Sequence, residues 1–281
     1  MIEPVLSGSN LLEEIRATHP FPGAIAVWWL GQSGYLIKSS ETTLLIDPYL
    51  SERLTAKYQH SDRPHIRMTR APIRGAELLD IDHVLASHKH SDHLDPGTMI
   101  GLLEASPQAR LILPRSLHLH AESLGIQANR RVGLAAGETF RATGVSIRAV
   151  PSAHEGLDTD EAGCHLYLGF VIEIAGLGLY HSGDTLAYDG LTEAIGPEPV
   201  DVMFLPINGR DPSRGVPGNM TAAEAVDLAN GVGPRFLVPH HYDMFTFNTI
   251  PVEVFEEETR RLSPKIRSRV LKCGGRWEIQ R

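Results

Sequence analysis

Six consecutive residues, His88-Lys89-His90-Ser91-Asp92-His93, bring four metal-capable side chains into one short stretch. Imidazole nitrogen and carboxylate oxygen are donors that a divalent cation accepts. In an extended loop side chains alternate with period two, so His88 and His90 point to the same side, while Asp92 and His93 turn toward a neighbouring point. One loop can thus serve two adjacent cations. Crowding several imidazoles together without a metal is costly, which sets this run apart from ordinary core or surface histidines. Three more polar residues close short apolar runs: His154 after Val150-Pro151-Ser152-Ala153, Asp184 after His181-Ser182-Gly183, and His241 after Val238-Pro239-His240. Strand ends are where sheet proteins build sites, and these residues can complete a ligand set.

The elements that must position these groups follow from short apolar runs. Ala24–Leu30, Tyr35–Lys38 and Thr43–Ile46, separated by Gly and Ser turns, read as an antiparallel meander. The Gly31-Gln32-Ser33-Gly34 turn is a plain hairpin and not a phosphate loop, because no helix follows it and no Lys-Ser/Thr pair closes it. Further strands are expected at Asp82–Ser87, Leu111–Leu113, Val145–Val150, Leu166–Ile174, Leu177–His181, Val200–Pro206, Arg235–Val238 and Arg276–Ile279. Helices are expected at Met99–Leu103, Ser116–Leu124, from the capping box Thr221–Glu224 through Ala229, and at Val252–Leu262. The polar stretch Ser51–Arg74 shows little periodicity and carries Arg53, Lys57, Arg63, Arg67, Arg70 and Arg74. Connections of this length are lids or surface excursions. Strand meanders mixed with strand–helix units occur in both halves, with no repeat and no linker. The expected organisation is one domain, 1–281, of two similar α/β halves divided near 145/146, with packed sheets and helices outside.

Composition narrows the function. The chain has 281 residues, 42% hydrophobic and 21% charged, with a formal charge of −8. A chain this long buries a sizeable core without disulfides, and its two cysteines, Cys164 and Cys273, read as free thiols. The acidic balance argues against a sequence-tolerant nucleic-acid or anionic-membrane binder. No signal peptide and no membrane-spanning run is expected, so a cytoplasmic location is the default. The 14 histidines are the abnormal feature.

The His-x-His-x-Asp-His run, followed in order by His154, Asp184 and His241, resembles the metallo-β-lactamase superfamily over nearly the whole chain. Trp28-Trp29-Leu30-Gly31, Tyr180–Asp184 and Asn219-Met220-Thr221 make it more similar to the branch that contains L-ascorbate-6-phosphate lactonase. The resemblance implies an α/β (α+β) fold, a four-layer αββα sandwich with a two-metal site on one edge. By position, His88, His90 and His154 would hold one metal, Asp92, His93 and His241 the second, and Asp184 would bridge them. His241 is preferred to His240 because it falls two residues after Pro239, as in the family's Pro-x-His pattern; His240 is expected behind the ligands or at the rim. Asp47 matches a family position that steadies the metal loop, a role His181 could share. The sequence departs from the lactonase pattern at His154, where that branch has Asp. The extra imidazole favours Zn²⁺ over Mn²⁺.

The chemistry implied is hydrolysis by a metal-bridging hydroxide, acidified from a pKa of 15.7 toward about 7. Asp92 and Asp184, ionised as ligands must be, would relay a proton at most secondarily. A small-molecule ester or lactone is the favoured substrate, with a phosphorylated sugar lactone as one form and a homo-oligomer compatible. Asn208 and Arg210 are candidates for lining the site, Arg210 for gripping an anionic group. The Arg53–Arg74 run could cover such a group, and Tyr242 and Phe245 could form an apolar wall, with core packing the favoured role for Phe245. The alternatives are a phosphodiesterase on the same scaffold, a metal-stabilised module without turnover, and an iron-dependent redox enzyme.

Overall fold

The computed structural model describes residues 1–263 and 265–281. Two seven-stranded mixed sheets face each other. The first is built from β1 (Ala24–Gly31), β2 (Gly34–Lys38), β3 (Thr43–Ile46), β4 (His83–Leu85), β5 (Arg110–Pro114) and β6 (Arg131–Leu134), with β14 (Arg276–Gln280) on its far edge. The second runs β7 (Thr139–Ala142), β8 (Val145–Pro151), β9 (Leu168–Ile174), β10 (Leu177–His181), β11 (Val202–Pro206), β12 (Phe236–His240) and β13 (Arg267–Ser268). Each sheet begins as an antiparallel meander and continues with parallel strands: β3–β4–β5–β6 in the first, β10–β11–β12–β13 in the second. Two strands cross a cut at 145/146, since β7 lies in the second sheet and β14 in the first.

Alternation along β1 shows the layering directly. Ile25, Val27 and Trp29 enter the cluster between the sheets, whereas Ala26, Trp28 and Leu30 join a second cluster on the outer face. That outer cluster is covered by α1 (Gly8–Ala17) through Leu11 and Ile15, by α3 (Pro96–Ala105) through Met99 and Leu102, and by α4 (His118–Ser123) through Ala121. The Trp28 indole N–H donates to Glu14 Oε1 at 2.8 Å, pinning α1 to the sheet. On the opposite face α5 (Leu191–Ile195), α6 (Ala222–Val232) and α7 (Val252–Leu262) pack apolar faces, with Ala225, Ala229 and Phe255 fully buried. The result is the αββα sandwich. The capping box at Thr221 and Glu224 forms as expected and opens α6. The short elements α1, α5, β6 and β7 are absent from the sequence reading.

Ser51–Arg74 is more ordered than its composition suggests. It contains a short helix, α2 (Arg53–Tyr58), and closes on itself. Buried Arg67 clamps both legs of the excursion. Its guanidinium donates to the Tyr49, Ser51 and Thr69 carbonyls at 3.2, 2.7 and 2.6 Å, and lies 4.7 Å from the Tyr49 ring centroid. Tyr49, Leu54, Met244 and Phe245 form a small separate cluster beneath it.

Candidate metal centre

Five strand ends on one edge of the sandwich supply the site. Asp47 follows β3 and the His88–His93 loop follows β4, its parallel neighbour. His154 follows β8, Asp184 follows β10 and His241 follows β12. β8 and β10 both pair antiparallel with β9, so they run in the same direction and end at the same edge. The Ser87 carbonyl accepts the Leu168 N–H (3.0 Å) and the Gln32 carbonyl accepts the His241 N–H (3.2 Å), joining the two sheets at this edge. The Asp95 side chain accepts the Gly97 N–H and ends the histidine loop as the N-cap of α3.

The sequence-predicted ligands converge. Donor atoms of His88, His90 and His154 lie within 4.8 Å of one another, as do those of His88, His93 and Asp184, and those of Asp92, His93 and His241. Asp184 stands centrally: its carboxylate is 3.3 Å from His93 Nε2, 3.2 Å from His241 Nε2 and 3.9 Å from His154 Nε2.

Asp47 sets the hydrogen positions. Its carboxylate accepts from the Ser87 N–H at 2.7 Å, from the Ser87 hydroxyl, and from His93 Nδ1–H at 2.6 Å. With the Ser87 proton committed to Asp47, Ser87 Oγ accepts from His88 Nδ1–H at 2.9 Å. Both rings therefore present Nε2 inward, and on both that atom is buried with no hydrogen-bond partner. Asp184 Oδ1 is unpartnered too. Three adjacent buried polar atoms without a hydrogen-bond partner are what a cation would satisfy and what a packed core would not tolerate. The donor set fits a divalent metal.

Backbone strain gathers here. Gln32, Asp47, His241 and Asp243 all have left-handed φ, between +43° and +62°. Such conformations persist where the surroundings over-determine them. Gly183, also left-handed, could not carry a Cβ, which would fall 2.6 Å from Ser87 Cβ.

The seven candidate ligands and Asp47 fall within a match to the β-lactamase superfamily domain, which covers residues 42–242. The chain belongs to the metallo-β-lactamase superfamily. It is 30% identical over 244 residues to a UPF0173 metal-dependent hydrolase of Alkaliphilus metalliredigens, covering 83% of this chain and 92% of that one. It is 24% identical over 306 residues to a probable L-ascorbate-6-phosphate lactonase of Salmonella paratyphi B, covering 96% and 85%. Among solved structures, an isothiocyanate hydrolase from Delia radicum gut bacteria superimposes with a TM-score of 0.72 at 16% identity, over 91% of this chain and 99% of that one. The metallo-β-lactamase fold and membership among enzymes of that superfamily are thereby established.

The electrostatics suit cations. Burial pushes the Asp184 carboxyl up, but His241 and His93 outweigh it and hold it well below the usual range. Burial likewise opposes ionisation of Asp92, yet His93, His241 and His90 keep it below its ordinary value. Burial pushes His88 well down, and His154 down to about 4. His93 moves the other way: burial lowers it, but Asp184, Asp47 and Asp92 together raise it well above an ordinary histidine.

A cavity of about 490 Å³ opens above the cluster, with His90, Asp92, His154, Asp184 and His241 on its floor. Lys57 and Lys89 supply its cationic groups, beside His65 and His120, which burial pushes below an ordinary histidine. Leu54, Tyr58, Val216, Pro217, Phe245 and Phe247 supply an apolar wall, where His65 stacks on Tyr58 at 4.2 Å.

Several sequence expectations are corrected. Arg210 does not face this cavity; it is paired bidentately with Glu224 at 2.7 and 2.6 Å. Asn208 is buried behind the wall, donating to Asn248 Oδ1 at 2.9 Å, and only Asn248 reaches the cavity. Of the basic run, only Lys57 lines the cavity: Arg67 is the clamp, Arg70 pairs with Glu3 and Arg74 with Glu77. Tyr242 is buried against Trp29 (ring centroids 4.4 Å apart) and is not part of the wall, whereas Phe245 takes both of its expected roles, packing in the small cluster and lining the wall. His240 is fully buried, so it is not at the rim; it stacks on His181 at 4.9 Å. His181 accepts the Gly183 N–H on Nδ1 and so donates from Nε2 to the Ser33 carbonyl at 2.9 Å. It braces the turn before Asp184 and touches neither Asp47 nor the loop histidines through a hydrogen bond. Gln32, Ser87 and the Lys89 head group are the site residues the sequence reading passed over.

Proposed function

We propose that this chain is a hydrolase with two divalent cations, acting on a small anionic ester or lactone, a phosphorylated sugar lactone included. The carrying observation is the convergence of five imidazoles and two carboxylates at and just beneath the floor of a cavity with cationic and apolar walls. His88, His90 and His154 would hold one cation and Asp92, His93 and His241 the other, with Asp184 shared. The excess of imidazole suits Zn²⁺, with Mn²⁺ the alternative. Bound there, the cations supply Lewis acidity, polarising a carbonyl or phosphoryl oxygen and acidifying water at neutral pH.

The protein's part is orientation and exclusion. Asp47 keeps hydrogen on the outward nitrogen of His93 and, through Ser87, of His88, so both rings turn Nε2 toward the place a cation would take. Asp92 and Asp184 are carboxylates across the physiological range and hold no proton to donate. Lys57 and Lys89 can grip an anionic group at the mouth, while Tyr58, Phe245 and Phe247 limit water at one side.

The test is elemental analysis of the purified protein, followed by a panel of lactones, phosphorylated lactones and esters. About two cations per chain are expected, and His88→Ala with His90→Ala should lose metal and turnover together. Full activity after complete metal removal would overturn the reading.

A further inference from the structure

We propose that Gln32 is a further donor in the second cation group, turning its side-chain carbonyl toward Asp92 and His241 when that group is filled. This rests on the two-cation reading above, and concerns a residue outside the seven ligands. Gln32 is fully buried in the β1–β2 turn and is not part of the cavity wall. Its Nε2 lies 2.8 Å from Asp92 Oδ2 and 3.1 Å from His241 Nε2, and its Oε1 has no hydrogen-bond partner.

With both carboxylates ionised, no placement of hydrogens satisfies Gln32, Asp92, Asp184 and His241 together without a cation. If the amide donates to both Asp92 and His241, then His241 Nε2 carries no hydrogen. Its lone pair then faces the Asp184 carboxylate at 3.2 Å, which repels it. If His241 Nε2 carries hydrogen for Asp184, that N–H meets the N–H of Gln32. Turning the amide over satisfies His241 but sets Oε1 against the Asp92 carboxylate at 2.8 Å. A cation among these atoms removes the conflict. Asp92, Asp184 and His241 then all present lone pairs, and the amide oxygen becomes the favourable end to face them. The backbone supports the placement: Gln32 is held at φ +50°, and its carbonyl accepts from both the Trp29 indole N–H and the His241 N–H. Strained backbone of this kind is retained where it aims a group.

The experiment is Zn²⁺ titration of metal-free protein by equilibrium dialysis with elemental analysis, on wild type, Gln32→Ala and Gln32→Glu. A second readout is the visible spectrum of the Co²⁺-loaded forms, which reports coordination number. Gln32→Ala should keep the first cation and bind the second about 10–100-fold more weakly, with a Co²⁺ spectrum of lower coordination. Gln32→Glu, which restores an oxygen at the same reach, should bind two at wild-type affinity or better. Should Gln32→Ala fail to fold, Gln32→Asn, which tolerates left-handed φ but falls one methylene short, carries the same expectation. A second cation held as tightly or more tightly in Gln32→Ala overturns this inference alone. So does loss of both cations in Gln32→Ala and Gln32→Glu alike. Wild type that binds no cation overturns the two-cation reading, and this inference with it.

Discussion

The floor of the cavity and the excursion that covers it are held by opposite means. On the floor a carboxylate, Asp47, gathers hydrogens from Ser87 and His93 and through Ser87 controls His88. In the cover a guanidinium, Arg67, gathers the carbonyls of Tyr49, Ser51 and Thr69. Asp47 fixes side chains, each with a defined hydrogen position. Arg67 fixes mainly backbone, with the Tyr49 ring and the Glu52 carboxylate as its side-chain contacts, and it hydrogen-bonds none of the side chains of Arg53–Tyr58. The floor is therefore built to hold a geometry and the cover to hold a place. Metal affinity and substrate affinity should separate along this line.

The largest effect should come from Asp47→Ala. It removes the acceptor for buried His93 and Ser87, a loss of about 3–5 kcal/mol in metal-free stability by denaturant unfolding. Cation binding should weaken with it, about 10–100-fold by dialysis, while KM for substrates at residual activity stays close to wild type. A raised KM with full metal content would break the comparison. Arg67→Ala comes next, at about 2–3 kcal/mol for three carbonyls left without their donor. Here metal content should be unchanged and KM should rise. A metal-depleted Arg67→Ala would show that cover and floor are one unit.

The smallest effect lies outside both regions and sets the scale for a single carboxylate. Arg210 first, and the capping contacts with Thr221, hold Glu224 down at about 2 against an ordinary 4.5. A depressed carboxyl stabilises the fold fully above its unfolded value, and that contribution fades as pH falls from about 4.5 toward 2. The pair is partly exposed, so solvent screening cuts the effect to about 1 kcal/mol or less. Glu224→Gln should lower stability by that amount at neutral pH and flatten this acidic limb of the stability profile, measured by urea unfolding at several pH values.

The strands and the histidine loop were legible because their signals are local. Ala24–Leu30 and Val145–Val150 are apolar runs bounded by turn residues, and His88–His93 carries its chemistry within six positions. His154, Asp184 and His241 each close a short apolar run, but their membership in one ligand set came from the family resemblance and not from any local pattern. What escaped was pairing between a side chain and distant partners. Arg67 binds carbonyls, which carry no residue-type signal. Arg210 looked free because its partner Glu224 was already accounted for by the capping box. Gln32 sits in a turn whose Gly and Ser neighbours explain the hairpin completely, so nothing local shows that its amide reaches Asp92, 60 positions away. The short, partly exposed strand β7 and the five-residue α5 lack enough periodicity to stand out.

Stapling a surface excursion at its base, by the Arg67 guanidinium and the backbone bonds of Met68 and Arg70 beside it, has an evolutionary consequence. What lies beyond the staple can be rewritten, lengthened or exchanged as a cassette while the sandwich stays put. Selectivity for new compounds can then drift by local edits, leaving the hydrolytic apparatus beneath as common stock for descendants with different diets.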